Sequence, residues 1–94
     1  MPGYRIVPLE SVTPLFLLMR RRMLEAGWTP ERYRSKWDEI AASHSAKMKP
    51  HGASALKPTP NGYLRYGINI GGHKVTYQVR PPDYLAIEAI RLSM

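Results

Sequence analysis

Histidines and cationic side chains are the residues of this sequence whose types could act on a phosphodiester. Cleavage of RNA without a metal requires a group that activates the 2′-hydroxyl, a group that protonates the leaving oxygen, and cations that stabilise the developing negative charge. His44, His51 and His73 are the side chains that titrate near neutral pH. Since Lys74 directly follows His73, this dipeptide is the first candidate for such chemistry. An exposed histidine is more often a plain polar residue, so binding without cleavage is the alternative.

Lysines and arginines are numerous enough to bind a series of phosphates. The candidates for contact with nucleic acid or another acidic partner are Lys47, Lys49, His51, Lys57, Tyr63, Gln78 and Arg80. Tyr63 is included because an aromatic ring can stack on an unpaired base, which contributes about 1 to 3 kcal/mol. If about six phosphates were neutralised on a single strand, a log–log plot of affinity against salt would have a slope of about −4 to −5.

The charge balance narrows the class of partner. Fourteen Lys and Arg against seven Asp and Glu give a formal net charge of +7 in 94 residues, so nucleic acid is the first partner to consider and an acidic protein surface the second. The chain has no cysteine, and its histidines and acids show no metal-ligand spacing, so we expect no metal and no cofactor. The apolar run Val12–Met19 is too short to cross a bilayer. We therefore expect a cytoplasmic protein without a membrane partner.

A β-hairpin is the element that would position most of these cations. Residues 62–80 alternate apolar and polar side chains around Gly71-Gly72, a dipeptide typical of a two-residue turn. With that turn, Ile68 faces Val75 and Tyr66 faces Tyr77, so one face of the hairpin is apolar. The opposite face then carries Tyr63, Arg65, Asn69, Lys74, Thr76, Gln78 and Arg80.

Two helices are bracketed by start and stop signals. Thr13-Pro14 as N-cap and first helical residue, with Gly27 as a stop, predicts a helix from about Pro14 to Ala26. Thr29-Pro30 repeats the start signal for a second helix that ends near Ala46. Apolar residues at helical spacing predict which side of that second helix packs on the sheet.

The remaining segments complete an α+β fold. A short strand at 4–8 precedes the helices, and a central, largely apolar strand at 84–92 follows the hairpin. The predicted order is β-α-α-β-β-β, with two helices packed on one face of a small antiparallel sheet. We expect a single domain spanning residues 1–94, with a Pro/Lys-rich loop at 47–61.

The last strands resemble a known family. Gly72-His73-Lys74-Val75-Thr76-Tyr77-Gln78-Val79, followed by Ala86-Ile87-Glu88-Ala89-Ile90, is similar to the corresponding strands of the RelE/ParE superfamily of bacterial toxin–antitoxin toxins. The element order agrees as well. The resemblance implies that Lys74 stands where ribosome-dependent members place an arginine that contacts the mRNA phosphate. It also implies that Arg65, and more loosely Lys57, stand near the basic residues of the preceding strand.

The chain departs from that family after the last strand. Active members usually continue with an Arg, His or Tyr that completes the site, whereas Arg91 is the one tail candidate here. Together with His73, the candidate catalytic set is Arg65, Lys74 and Arg91, for metal-independent RNA cleavage if the protein is an enzyme. The short tail favours binding over cleavage.

Three functions follow as expectations. The first is a RelE/ParE-like basic bacterial or phage protein that binds RNA or the ribosome through the cationic sheet face and loop, with mRNA cleavage by the toxin as its enzymatic form. Its partners would be RNA or the ribosome, together with an antitoxin or another acidic protein. The second is a non-enzymatic inhibitor, for example phage-encoded, that binds a host or defence complex. The third is a ParE-like inhibitor of topoisomerase.

Overall fold

A five-stranded mixed sheet forms one layer of the fold and two helices form the other. The computed structural model describes residues 3–93. Its elements are β1 (Arg5–Pro8), a 3₁₀ turn (Glu10–Val12), α1 (Thr13–Glu25), α2 (Pro30–Ser45), β2 (Ser54–Leu56), β3 (Leu64–Ile70), β4 (His73–Arg80) and β5 (Tyr84–Arg91). The strand order in the sheet is β1-β5-β4-β3-β2, with β1 parallel to β5 and all other pairs antiparallel. The predicted α+β class is confirmed, and the parallel β1 makes the sheet mixed rather than purely antiparallel.

The hairpin forms with the predicted register. Ile70 pairs with His73, Tyr66 with Tyr77 and Leu64 with Val79. Gly71 and Gly72 have φ values of 57° and 86°, which a two-residue turn with positive φ at both central positions requires. The Gly-Gly turn therefore fixes which face each side chain of β3 and β4 takes.

Both helices begin within one residue of the predicted positions, but only α2 has the predicted N-cap. Thr29 caps α2, since its hydroxyl oxygen accepts a hydrogen bond from the backbone N of Arg32 at 3.1 Å. Thr13 was predicted as the cap of α1 but lies inside the helix, and its hydroxyl donates to the carbonyl of Leu9 at 3.3 Å. The reason is the 3₁₀ turn at Glu10–Val12, which leads directly into α1. This turn supplies hydrogen bonds at the start of the helix, where a side-chain cap would otherwise be needed.

Both helices end with the same hydrogen-bond pattern. Trp28 N donates to the carbonyl of Met23 after α1, and Met48 N donates to the carbonyl of Ser43 after α2. The residue that turns the chain is Gly27 in the first case, at φ 104°, and Lys47 in the second, at φ 57°. This left-handed position strongly favours glycine, so Lys47 holds an unfavourable backbone conformation.

The core lies between the helices and one face of the sheet. Met19 and Met23 of α1 are buried, as is the stripe on α2 formed by Tyr33, Trp37, Ile40, Ala41 and His44. The sheet contributes buried side chains that include Ile70, Val75, Tyr77, Leu85 and Ile87. We call this the inner face of the sheet, and the opposite face, which no helix covers, the outer face.

The predicted loop at 47–61 contains a short strand. β2 spans three residues and pairs antiparallel with β3, joining Ser54 to Gly67 and Leu56 to Arg65. All three residues of β2 are exposed. The segment therefore lacks the alternation of apolar and polar residues that predicts a half-buried strand. The observed element order therefore has one strand more than predicted.

A β-bulge interrupts the pairing of the last two strands. Thr76 pairs with Ala89 and Tyr77 with Ile87, so Glu88 is an extra residue of β5. Beyond the bulge the alternation of β5 is shifted by one residue, and Ile90 becomes buried on the inner face.

No helix within residues 3–93 has the length and apolar character needed to span a membrane.

Candidate anion-binding surface

The outer face of the sheet gathers the polar side chains of three neighbouring strands. The register assigns the central part of this face to Arg65, Gly67 and Asn69 of β3, Lys74, Thr76, Gln78 and Arg80 of β4, and Ala86, Glu88, Ala89 and Arg91 of β5. Glu88 is the one carboxylate among the strand residues that the structure describes. The distribution of positive charge on this surface therefore depends on which cations Glu88 engages.

Arg65 is the cation that Glu88 engages. Arg65 Nε donates to both carboxylate oxygens of Glu88 at 3.0 and 3.1 Å, and its Nη2 donates to Oε2 at 2.6 Å. Its Nη1 donates to the carbonyl of Lys57 at 2.9 Å, while Gln78 Nε2 donates to Glu88 Oε1 at 2.9 Å. We call Arg65, Gln78 and Glu88 the Arg65–Glu88 cluster. Its arginine has little capacity left for a phosphate.

The titration behaviour of the cluster agrees with this pairing. The hydrogen bonds from Arg65 lower the pKa of Glu88 below its ordinary value, with Gln78 acting in the same direction and partial burial opposing both. The same interaction with Glu88 raises the pKa of Arg65. A bidentate arginine–carboxylate pair of this kind is geometrically specific, so the cluster ties β3 to β5 across β4.

Arg80 is also partly engaged. Its Nε donates to Gln78 Oε1 at 2.9 Å, and its guanidinium carbon lies 5.2 Å from the centre of the Tyr63 ring. That distance is within the range of a cation–π contact. The half-buried Tyr63 ring therefore meets Arg80 on one side, and stacking on a base would use its other side.

Lys74 and Arg91 form the free cationic part of the outer face. They are directly paired residues of β4 and β5, both exposed, and within residues 3–93 neither makes an ion pair or a side-chain hydrogen bond. A hollow of about 250 Å³ lies beside them, lined also by Asn69, Gly72 and Ser93. Like charges placed directly opposite each other on a sheet are destabilising. An anion bound between these two side chains would remove that repulsion.

A second hollow adjoins this pair. It has a volume of about 300 Å³ and is lined by Ser54, Leu56, Gly67, Asn69, Lys74 and Thr76, among others. We call it the Gly67 hollow, since Gly67 leaves its floor without a side chain. Because Asn69 and Lys74 line both hollows, the two lie next to each other; together we call them the depression.

Two of the three histidines lie in the interior. His73 is 6% exposed and faces inward beside Ile70, and its Nδ1 accepts a hydrogen bond from the backbone N of Ser93 at 3.0 Å. His44 is 8% exposed, its Nε2 lies 2.6 Å from the hydroxyl of Tyr77, and burial lowers its pKa. The structure therefore does not bring His73 together with Lys74, because successive residues of a strand project to opposite faces.

The four candidate catalytic residues consequently separate into three environments. Lys74 and Arg91 lie side by side on the outer face, Arg65 is held by Glu88 on the same face, and His73 is buried on the inner face. Of the histidines, only His51 is exposed within residues 3–93. It precedes Gly52, which lines the Gly67 hollow.

The loop cations lie beside this surface rather than on it. Lys47, Lys49 and Lys57 are exposed. Lys47 follows the end of α2, whereas Lys57 follows β2 and offers its carbonyl to Arg65. Between them, β2 brings Ser54 and Leu56 onto the outer face, so the flank of the depression is built from the predicted loop.

Three residues of the site, Glu88, Gly67 and Leu56, were not among the candidates. A buried-strand pattern interrupted by an acid could have pointed to Glu88, and a glycine inside a strand could have pointed to Gly67. Among residues 3–93, no group of three or more His, Asp and Glu side chains is placed to hold a metal ion.

Comparisons of the chain with protein-family models, with curated proteins and with solved structures find no match.

Proposed function

We propose that the protein binds single-stranded RNA through its outer face, with Lys74 and Arg91 holding a phosphate. The observation that supports this most strongly is the pairing of two exposed cations on adjacent strands without a counter-ion in the described chain. In the Arg65–Glu88 cluster, by contrast, a carboxylate neutralises the cation. Within residues 3–93, Lys74 and Arg91 have no carboxylate partner of this kind.

The shape of the surface favours a single strand over a duplex. Double-stranded RNA is recognised mainly through contacts across its minor groove, whereas single strands lie along open sheets whose aromatic and polar side chains meet unstacked bases. Here an open sheet carries a depression and, at its other end, the Tyr63 ring. A net charge of +7 would also draw RNA toward the protein from a distance.

The resemblance to RelE/ParE toxins supports the same proposal. The helices on one face and the antiparallel strands that follow them agree with the element order of that superfamily, and Lys74 occupies the position that the resemblance relates to mRNA phosphate. We therefore propose a RelE/ParE-like RNA-binding protein that acts on RNA or on the ribosome. The burial of His73 and the engagement of Arg65 favour binding over catalysis by the expected set.

The test compares two double variants with equal loss of charge. Lys74→Gln with Arg91→Gln removes the paired cations, while Arg22→Gln with Arg34→Gln removes two exposed cations of the helices. Affinity for a fluorescent single-stranded RNA is measured by anisotropy. We expect the first variant to bind about tenfold more weakly or worse, since hydrogen bonds to charged groups contribute about 1.5 to 3 kcal/mol, and the second to stay close to the wild type. Equal losses in both would reject a specific site.

Cleavage of RNA is a second candidate, and the observation that favours it is that the exposed His51 directly precedes Gly52, a residue that lines the Gly67 hollow. A histidine there could transfer a proton to or from a nucleotide bound in the depression. The measurement is a time course of end-labelled mRNA with and without ribosomes, for the wild type and for His51→Ala. Intact transcripts in every lane would leave binding as the function, and cleavage that persists in His51→Ala would exclude this residue.

A further inference from the structure

We propose that the Gly67 hollow receives one unpaired base of the bound RNA, while Lys74 holds the phosphate of that nucleotide. This inference rests on the proposed function and extends it from phosphate binding to recognition of a base. It concerns a site on β2 and β3 that the sequence analysis did not single out.

The shape of the hollow suits a flat aromatic ring. A base needs a surface on which it can lie without meeting a side chain, and Gly67 provides it in the middle of β3. Leu56 forms a wall, since its Cδ1 lies 3.7 Å from the point where a Cβ on Gly67 would be. Leu56 is also 38% exposed, so a ring packed against it would bury apolar surface that the free protein leaves in water.

The polar groups around the hollow are those that read the edge of a base. Asn69 and Thr76 supply an amide and a hydroxyl, and Ser54 supplies a second hydroxyl. The pairing of β2 with β3 ends at Ser54 and Gly67, so β3 has no ladder partner on that side beyond Gly67. Ile68, whose side chain is buried on the inner face, therefore lines the hollow with its backbone. Unstacked bases are recognised through hydrogen bonds of this kind along their edges.

The position of Lys74 connects the base to the phosphate site. Lys74 lines the Gly67 hollow and also the hollow beside Arg91. A nucleotide whose base lies over Gly67 would thus have its phosphate at the two cations already proposed to bind one. The Gly67 hollow thus combines a floor without a side chain at Gly67, an apolar wall at Leu56 and a cation at Lys74.

The experiment fills the hollow without removing a charge. Gly67→Val adds branched carbon over the floor, and the new Cβ meets Leu56 and the carbonyl of Val75 at 3.7 and 4.0 Å, which are ordinary contact distances. Gly67 does not have a positive φ, and valine suits a strand better than glycine does, so we expect the variant to fold with unchanged or higher stability. Ala55→Val is the control, since it also places a valine in the sheet and adds two methyl groups, one carbon fewer than Gly67→Val, to an exposed residue of β2 on the other side of the sheet.

The probes are oligonucleotides of about eight nucleotides, namely oligouridine, oligoadenosine and a ribose–phosphate strand without bases. We expect the wild type to bind the two RNAs more tightly than the abasic strand. Gly67→Val should weaken binding of the RNAs about tenfold, the loss expected for one stacked base, with little change for the abasic strand. Ala55→Val should behave as the wild type does.

Each other outcome decides between the two proposals. If the wild type binds RNA and abasic strand equally, or if Gly67→Val binds RNA as the wild type does, base recognition in the hollow is wrong and phosphate binding stands. If the wild type binds none of the probes, both proposals are wrong. Should Gly67→Val fail to unfold cooperatively, Gly67→Ala takes its place, and wild-type affinity in that variant overturns the inference.

Discussion

Arg65 and Glu88 are joined across the intervening strand β4, with Arg65 Nη2 donating to Glu88 Oε2 at 2.6 Å. Their side chains are only 28% and 16% exposed, so water screens the pair less than it screens a typical surface ion pair. Arg65 and Lys74 are both cations of the outer face, but their surroundings differ. Arg65 is held in an ion pair with Glu88, whereas Lys74 makes no ion pair within residues 3–93.

We predict that Arg65→Ala and Lys74→Ala differ in stability. Arg65→Ala leaves the Glu88 carboxylate with Gln78 as its partner in the cluster, so the melting temperature should fall by several degrees. Lys74→Ala removes one of two cations that repel each other, and its melting temperature should equal or exceed that of the wild type. Circular dichroism melts measure both. The reverse order of stabilities would show that the cluster does not support the sheet.

The salt dependence of RNA binding should change in a Lys74 variant and not in an Arg65 variant. Each phosphate contact on a single strand contributes about 0.7 to the slope of log affinity against log salt. Lys74→Gln should therefore reduce the slope for single-stranded RNA by about 0.7, whereas Arg65→Gln should leave it nearly unchanged, since Glu88 already neutralises Arg65. Binding titrations at several potassium chloride concentrations provide the slopes. A wild-type slope in Lys74→Gln would remove Lys74 from the phosphate site.

Two buried tyrosines should respond differently to loss of the hydroxyl. The hydroxyl of Tyr77 lies 2.6 Å from His44 Nε2, so Tyr77→Phe leaves a buried ring nitrogen unsatisfied and should cost about 1 to 3 kcal/mol. The hydroxyl of Tyr33 is buried and makes no well-formed hydrogen bond within residues 3–93, although it lies near Trp37, so Tyr33→Phe should cost less than Tyr77→Phe. Urea denaturation gives both free energies of unfolding. An equal loss of unfolding free energy in both variants would mean that the contact between Tyr77 and His44 does not stabilise the fold.

The burial of His44 should make stability depend on pH. Burial lowers the pKa of His44 in the folded state, so the unfolded chain binds a proton more readily. This contribution to stability is complete above about pH 6.5, the ordinary histidine value, and is lost as pH falls toward the lowered folded value. His44→Gln should flatten the stability profile between about pH 5 and pH 7. His51→Gln, at an exposed histidine, is the matched control.

The end of α2 offers a stabilising substitution. Lys47 has a φ of 57°, a region that costs a side chain roughly 1 to 2 kcal/mol relative to glycine. Lys47→Gly should raise the free energy of unfolding by about 1 kcal/mol, and Lys47→Ala, which removes the same charge but keeps a Cβ, should not. Urea midpoints compare the three proteins. Equal midpoints for the glycine and alanine variants would mean that the backbone conformation of Lys47 carries no strain.

The sequence predicts the parts of this fold that local chemistry specifies. Gly71-Gly72 determines the hairpin because few other residues accept a positive φ at two successive positions, and the pairs from Leu64 with Val79 to Ile70 with His73 follow from it. Thr29-Pro30 determines the start of α2 in the same way, through one side-chain cap and one fixed φ. Neither feature depends on the rest of the chain.

The features that the sequence does not predict depend on contacts between distant segments. β2 has three exposed residues and owes its structure to the edge of β3. The bond between Arg65 and Glu88 joins residues 23 positions apart and requires the register of three strands at once. Lys74 and Arg91 are candidates in the sequence for separate reasons, and only the pairing of β4 with β5 shows that they are neighbours.

The pairing of Lys74 with Arg91 depends on the extra residue in β5. Without the bulge at Glu88, the alternation of the strand would turn Arg91 toward the helices and Leu92 toward the outer face. Loss or gain of a single codon in this strand could therefore remove or create the paired cations while leaving every other strand unchanged. A binding site of this type can arise or disappear in one genetic step, without any substitution of the residues that form it.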